Sequence, residues 1–245
     1  MAMVRDLRVR CPWDRVQTRE TLRPYLVEEV LELDQALAEA DPAAIREELS
    51  DFLLHLAWQL VLAEERGEFT AVDVADDLVA KMKRRHPQLF DLGPAQTWER
   101  LKRSERRRGT LEGLPPTLPD LLMAYRLQER AASVGFDWPD VAGPRDKVRE
   151  EVNEVAAELA EADTPEATEA LTDEIGDLLF AVVNLARKAG VQPGNALDRA
   201  NRKFRTRFAA VEALARSRGI DVHAAGLETL DELWDAVKRG EGAAG

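Results

Sequence analysis

Leu171-Thr172-Asp173-Glu174-Ile175-Gly176-Asp177-Leu178-Leu179-Phe180-Ala181-Val182-Val183-Asn184-Leu185-Ala186 is the stretch on which the fold turns. Ile175, Leu178, Leu179, Val182, Val183 and Ala186 recur at three- and four-residue spacing, which predicts a helix whose broad apolar stripe belongs in a core. Glu174 and Asp177 stand three apart on one flank and project the same way. Two ionised carboxylates at the edge of a core repel each other and lose hydration, a cost of several kcal/mol that a cation or strong hydrogen bonds must offset. An isolated Glu-x-x-Asp pair is more often a solvated helix edge, so the reading depends on what faces it.

A second acidic pair precedes it. Lys147-Val148-Arg149-Glu150-Glu151-Val152-Asn153-Glu154-Val155-Ala156-Ala157-Glu158-Leu159 predicts a helix with Val148, Val152, Val155 and Leu159 as its core stripe and Glu151 and Glu154 on the flank. Glu161-Ala162-Asp163-Thr164-Pro165 supplies a cap and a proline suited to a first helical turn, so the two helices are expected to form an antiparallel hairpin. That geometry brings Glu151, Glu154, Glu174 and Asp177 together. A site of carboxylate oxygens without histidine or cysteine suits hard Mg²⁺ or Mn²⁺ rather than zinc.

The composition narrows the function. Charged residues make up 33% of the 245, and no apolar run is long enough to cross a bilayer, so a membrane partner is not expected. Nor does the start of the chain, Met1 to Asp6, read as a secretion signal. One cysteine, Cys11, allows no intrachain disulfide and fits a cytoplasmic location. A formal net charge of −12 argues against nucleic acid, whose nonspecific binding rests on basic contacts to phosphates. Small phosphorylated ligands remain compatible with it, because a metal and a few local cations can hold them.

Along the chain, Cys11-Pro12-Trp13-Asp14 precedes a short helix interrupted near Pro24, then a helix from Tyr25 to Ala40 containing Glu28, Glu29 and Glu32. Asp41-Pro42 reads as an N-cap and first-turn proline for a helix to Glu65 or Arg66, which holds Glu48 and Asp51 and is ended by Gly67. Helices near 70–85 and around Trp98 and Lys102 follow. Gly109 to Pro119, with three prolines and two glycines, is too broken for a helix and reads as a linker. Beyond it come helices near 119–134, the acidic hairpin, 193–218 and 228–239.

The halves repeat each other. Glu29, Glu32, Glu48 and Asp51 correspond to Glu151, Glu154, Glu174 and Asp177; Lys81 and Arg85 to Lys203 and Arg207; Trp98 and Lys102 to Trp234 and Lys238. No segment alternates apolar and polar residues as a strand does, so the chain reads as all-α. The repeat divides it into an N-terminal helical domain over 1–108, the linker over 109–119 and a C-terminal helical domain over 120–245.

Glu-Glu-x-x-Glu followed by Glu-x-x-Asp, present at 28–32 with 48–51 and at 150–154 with 174–177, resembles the signature of the MazG family of nucleoside triphosphate pyrophosphohydrolases. Cys11-Pro12-Trp13-Asp14, Arg84-Arg85-His86-Pro87, Gly135-Phe136-Asp137-Trp138 and Asn201-x-Lys203-Phe204-x-x-Arg207-Phe208 resemble its tandem-domain members, so the resemblance spans nearly the full length. It implies two tandem helical-bundle domains, dimerisation, and Mg²⁺-dependent hydrolysis of a nucleoside triphosphate to the monophosphate and pyrophosphate by a metal-activated water. Carried onto this chain, it makes Glu151, Glu154, Glu174 and Asp177 metal ligands. Lys147, Lys203 and Arg207 become phosphate contacts, and Trp234 a neighbour of the nucleotide. A carboxylate not fully engaged as a ligand can take the proton of the attacking water, and Glu150 or Glu151 is the candidate base.

Val79 and Trp58 stand where the second half has Asn201 and Asn184, amides able to orient a substrate, so the main activity is expected in the second half. Glu29, Glu32, Glu48 and Asp51 form a weaker second site or a structural unit. Trp234, among Leu230, Leu233 and Val237, reads equally well as core. A di-iron carboxylate bundle would commonly use Glu-x-x-His, which this chain lacks. A non-catalytic helical interaction module would reduce the acids to surface charge.

Overall fold

The computed structural model describes residues 1–90, 92–93, 109–159 and 165–242. The described residues form helices, turns and loops with no strand, as the periodicity predicts. Internal packing divides the chain into two compact units, one ending at residue 101 and the other starting at 102. Trp98, Lys102 and the cap at Asp163-Thr164 lie outside the described residues.

Unit 1 comprises α1 (Ala2–Arg10), the single turn α2 (Pro12–Arg15), α3 (Arg19–Glu39), α4 (Pro42–Glu65), α5 (Ala71–Arg85) and a 3₁₀ turn at Pro87–Leu89. The spacing did not predict α1. Pro24, expected to interrupt a helix, lies inside α3. It stands in the second turn, so its missing N–H forfeits one bond close to the helix end. Thr18 fixes that end reciprocally with Thr21: the Thr21 N–H donates to Thr18 Oγ1 at 3.3 Å and the Thr18 N–H to Thr21 Oγ1 at 2.8 Å. Asp41 caps α4 as predicted, its Oδ1 accepting from the Ala43 N–H at 2.9 Å. The core of this unit joins Val4 of α1 to Leu22 of α3 and to Trp58, Val61 and Leu62 of α4. Arg8 closes it, its guanidinium 5.8 Å from the Trp58 ring centroid and donating to the Asp14, Arg15 and Gln17 carbonyls.

Unit 2 contains α6 (Asp120–Ala132), α7 (Ala142–Leu159), α8 (Pro165–Lys188), α9 (Pro193–Ser217) and α10 (Gly226–Gly242). The helices α7 and α8 form the principal pair, α6 packs on α8, and α9 pairs with α10. Gly135, at φ 93°, ends α6 in a conformation that a side chain would strain. The turn that follows carries Phe136, Asp137 and Trp138. Val211, Ala215 and Leu233 form the buried centre of the α9–α10 pair, with Leu230, Trp234 and Val237 against it.

The segment 109–119 packs on unit 2, because the buried Arg130 donates to the carbonyls of Leu111 at 3.1 Å and Glu112 at 2.7 Å.

Two predicted core stripes are only partly covered. On α8, Val183 and Ala181 are buried, but Ile175, Val182 and Leu179, the last 54% exposed, face outwards in the single chain. On α7, Val152 and Leu159 are exposed while Glu151 is buried. Val148 and Val155 of that stripe do turn inwards, but Glu151 and Glu158 turn in with them where Val152 and Leu159 were expected. A chain that leaves so much apolar surface on its main hairpin has a face suited to covering by another surface.

Candidate functional site

The hairpin brings three of the four predicted acids of unit 2 together. Glu151 from α7 and Glu174 and Asp177 from α8 each place one carboxylate oxygen within 4.8 Å of the others. Glu151 is only 3% exposed. A carboxylate so buried needs a partner, and Lys147, one turn earlier on α7, places Nζ 2.6 Å from its Oε1. The same ammonium lies 2.7 Å from Glu150. These two carboxylates raise the pKa of the Lys147 ammonium and keep it charged. Glu154 is exposed and outside the three-residue group. Its carboxyl is raised above its ordinary value by the hydration it loses to neighbouring groups, by a hydrogen bond with Glu151 and by the Glu151 charge. Lys147 and Glu154 therefore flank the buried carboxylate from the same helix.

Unit 1 repeats the arrangement with one addition. Glu29, Glu48 and Asp51 each place an oxygen within 4.8 Å of the others, and Glu32 again lies outside the group. Burial, reinforced by neighbouring carboxylates, raises the Glu29 and Glu48 carboxyls. His55, buried at the position of Ala181, sits with Nε2 3.6 Å from Glu29. The repeat of the acids did not disclose this neighbour, since its relevance depends on which way α4 is rotated.

The downstream residues are less gathered. Asn201 and Lys203 are exposed on α9, and Lys203 makes no ion pair with a described residue. Arg207 is half-buried. Trp234 packs against the Val211–Leu233 core, its ring centroid 5.4 Å from that of Phe204. Trp234 remains partly exposed there.

The profile described as "MazG nucleotide pyrophosphohydrolase domain" matches residues 17–90 and again 145–211, so each match contains one acidic hairpin. The chain belongs to the MazG family. It is similar to the "Nucleoside triphosphate pyrophosphohydrolase" of Escherichia coli (strain K12), 39% identical over 252 residues, 98% of this chain and 95% of that protein. It is also similar to the "Nucleoside triphosphate pyrophosphohydrolase/pyrophosphatase MazG" of Thermotoga maritima, 41% identical over 237 residues, 94% of this chain and 90% of that one.

The second MazG unit also contains a cavity of about 610 Å³ that sequence reasoning missed. Asn184, two turns beyond Asp177, lines it; so do Gln128 of α6, Phe180 of α8 and the turn at 135–138. Among these, the sequence marks Asn184 alone as a candidate ligand contact. Gln128 carries no spacing signal, and its relevance comes from α6 packing on α8.

Asp137 anchors the turn. Arg187 and Lys188 both pair with it, Lys188 at 2.9 Å, and these bonds outweigh burial and hold its carboxyl below the ordinary range. Replacing Asp137 by Asn is expected to destabilise unit 2 by about 2 kcal/mol, the scale of hydrogen bonds to charged groups. A depressed carboxyl contributes stability above its unfolded pKa of about 3.9 and loses it as pH falls through the folded value. Thermal unfolding of the two proteins between pH 7 and pH 3 should show the difference closing below about pH 4. A gap that persists at pH 3 would mean that Asp137 acts by packing.

Proposed function

We propose that unit 2 hydrolyses nucleoside triphosphates to the monophosphate and pyrophosphate, with Mg²⁺, or Mn²⁺ in its place, held by Glu151, Glu174 and Asp177 and with Glu154 completing the set. Two MazG nucleotide pyrophosphohydrolase domains make the chain a nucleoside triphosphate pyrophosphohydrolase. The finer assignment is carried by one observation: the buried Glu151 carboxylate meets Glu174 and Asp177 across the hairpin. The donors are carboxylate oxygens only, and an ammonium already compensates the buried charge, so the residues fit a hard divalent cation. Such a cation neutralises triphosphate charge and acidifies water when bound.

The chain's own side chains supply the rest. Glu150 is the favoured base because it is exposed and outside the three-residue group, whereas Glu151 is buried as a ligand. Lys147, exchanging Glu151 for phosphate oxygens, holds the triphosphate. Lys203 and Arg207, one helical turn apart, offset charge on the departing pyrophosphate. Asn184, Asn201 and Trp234 contact the nucleoside. Residues 1–108 and 120–245 act as the two domains, joined by 109–119. The exposed Ile175, Leu179 and Val182 face supports a homodimer, which would also carry the basic residues of α9 into a new environment. The lone cysteine supports action in the cytoplasm.

The test is to quantify products from ordinary and modified nucleoside triphosphates. Equal amounts of monophosphate and pyrophosphate are expected with Mg²⁺, and none after chelation. Orthophosphate with diphosphate, or unchanged yield in chelator, would refute the proposal.

A further inference from the structure

Unit 1 carries, on the acid-bearing face of its hairpin, a side chain that unit 2 lacks. Glu48, Asp51 and His55 of α4 stand three and four residues apart and so share a face, which Glu29 of α3 meets from across the hairpin. In unit 2 the place of His55 is taken by Ala181, which is also buried. A methyl group therefore suffices for packing at that position, and the imidazole calls for another explanation.

Hydrogen bonding does not supply one. His55 is 7% exposed, and its Nδ1 has no hydrogen-bond partner among the described residues. Its Nε2 lies 3.6 Å from Glu29 Oε1, beyond the roughly 2.7–3.2 Å of an N–H···O bond. Burying a polar ring without such bonds costs free energy, and Ala181 shows that the fold does not require it. The separation does suit two donors that share an ion: placed about 2.1 Å from one cation and 3.6 Å from each other, they subtend about 118°, close to the tetrahedral angle. Asp51 and His55 add the four-residue helical spacing by which one face presents two ligands to a metal. The acids point the same way, since lost hydration and mutual charge raise the Glu29 and Glu48 carboxyls, a crowding that a cation relieves.

We propose that unit 1 binds a divalent transition-metal ion of the zinc class through Glu29, Glu48, Asp51 and His55, as a structural site that ties α3 to α4. His55 borders the three-acid group at Glu29 and adds the one nitrogen donor. That nitrogen separates the two units chemically. Imidazole favours zinc-like ions, whereas Mg²⁺ prefers oxygen donors and retains bound water. Four protein donors close the tetrahedral shell of a structural zinc, while the all-oxygen set of unit 2 suits a hard octahedral ion with positions left for water and phosphate. Trp58 fits this division. Its indole, 2% exposed, fills as core the place where unit 2 keeps Asn184 beside a cavity, as befits a site that holds structure rather than substrate.

The experiment uses the full chain, stripped of metal, with Zn²⁺ alone as the probe. Imidazole ¹H–¹⁵N correlation spectra report the 3 histidines separately. One equivalent of Zn²⁺ should shift the His55 nitrogens and leave those of His86 and His223 in place. Calorimetric titration should show a Zn²⁺ site with a Kd at least about 100-fold below that for Mg²⁺. His55→Ala, which installs the residue unit 2 carries there, should weaken that site at least about tenfold and leave Mg²⁺ binding within about twofold. Zn²⁺ should also raise the unfolding temperature of wild type more than that of His55→Ala. If His55→Ala does not fold, the wild-type spectra decide alone. Unshifted His55 nitrogens, or a Zn²⁺ affinity that His55→Ala leaves unchanged, would overturn the site. A response at His86 or His223 instead would mark adventitious binding only and overturn it as well. The readout is binding, so the result stands apart from whether the chain releases pyrophosphate.

Discussion

Replacing Glu174 by Gln is expected to lower kcat/KM for every triphosphate by roughly 10³-fold, the scale seen when a preorganised electrostatic contact in an active site is removed. The substitution keeps the shape of the side chain and removes its charge, so the hairpin should stay folded. What it removes is one of three oxygens within 4.8 Å of each other, beside a carboxylate that is almost wholly buried. Glu48→Gln should change turnover less than about threefold, despite a similar three-acid group in unit 1. The reason lies beside the acids: Trp58 is core where Asn184 lines a cavity, and His55 stands against Glu29. Steady-state pyrophosphate release from the two variants checks this. Equal losses would assign catalysis to both units, and a larger loss in Glu48→Gln would reverse the assignment.

Lys147→Met should have the second-largest effect, on stability. The Lys147 ammonium, itself half-exposed, lies 2.6 Å from the buried Glu151 carboxylate, and removing it leaves that charge sealed from water without its compensating cation. The unfolding temperature of unit 2 should therefore fall when no metal is present. Saturating Mg²⁺ should recover much of that loss, because a cation bound to the acids replaces the missing positive charge. Differential scanning calorimetry of wild type and variant, each with chelator and with Mg²⁺, measures the difference directly. A loss that Mg²⁺ leaves untouched would mean that Lys147 supports the fold independently of the metal ligands, and an unchanged transition would mean that Glu151 is stable without it.

Both expectations start from acids that were visible as spacing. Glu151 and Glu154, like Glu174 and Asp177, share helix flanks whatever the rest of the chain does, because residues three apart in a helix point the same way. Their repetition in the first half marks the tandem organisation without reference to any contact. Spacing failed where the rotation of a helix about its axis mattered. The apolar stripe of α7 suggested Val152 and Leu159 as core, yet the helix turns Glu151 inwards and leaves both outside. The buried carboxylate and the exposed valine are neighbours in sequence and project about 100° apart, so the rotation of α7 about its axis decides which of them is buried.

The amino-acid sequence alone determined the helical class, the internal repeat, the caps such as Asp41 and the acidic flanks, since each depends on interactions a few residues apart. Only the tertiary structure decided that Glu151 is the acid sealed from water, that Trp58 is core where Asn184 borders a cavity, and that Gln128 meets the Phe180 carbonyl from another helix. Those outcomes depend on which faces of distant segments meet and how much volume is left between them. Periodicity along one helix carries no information about either.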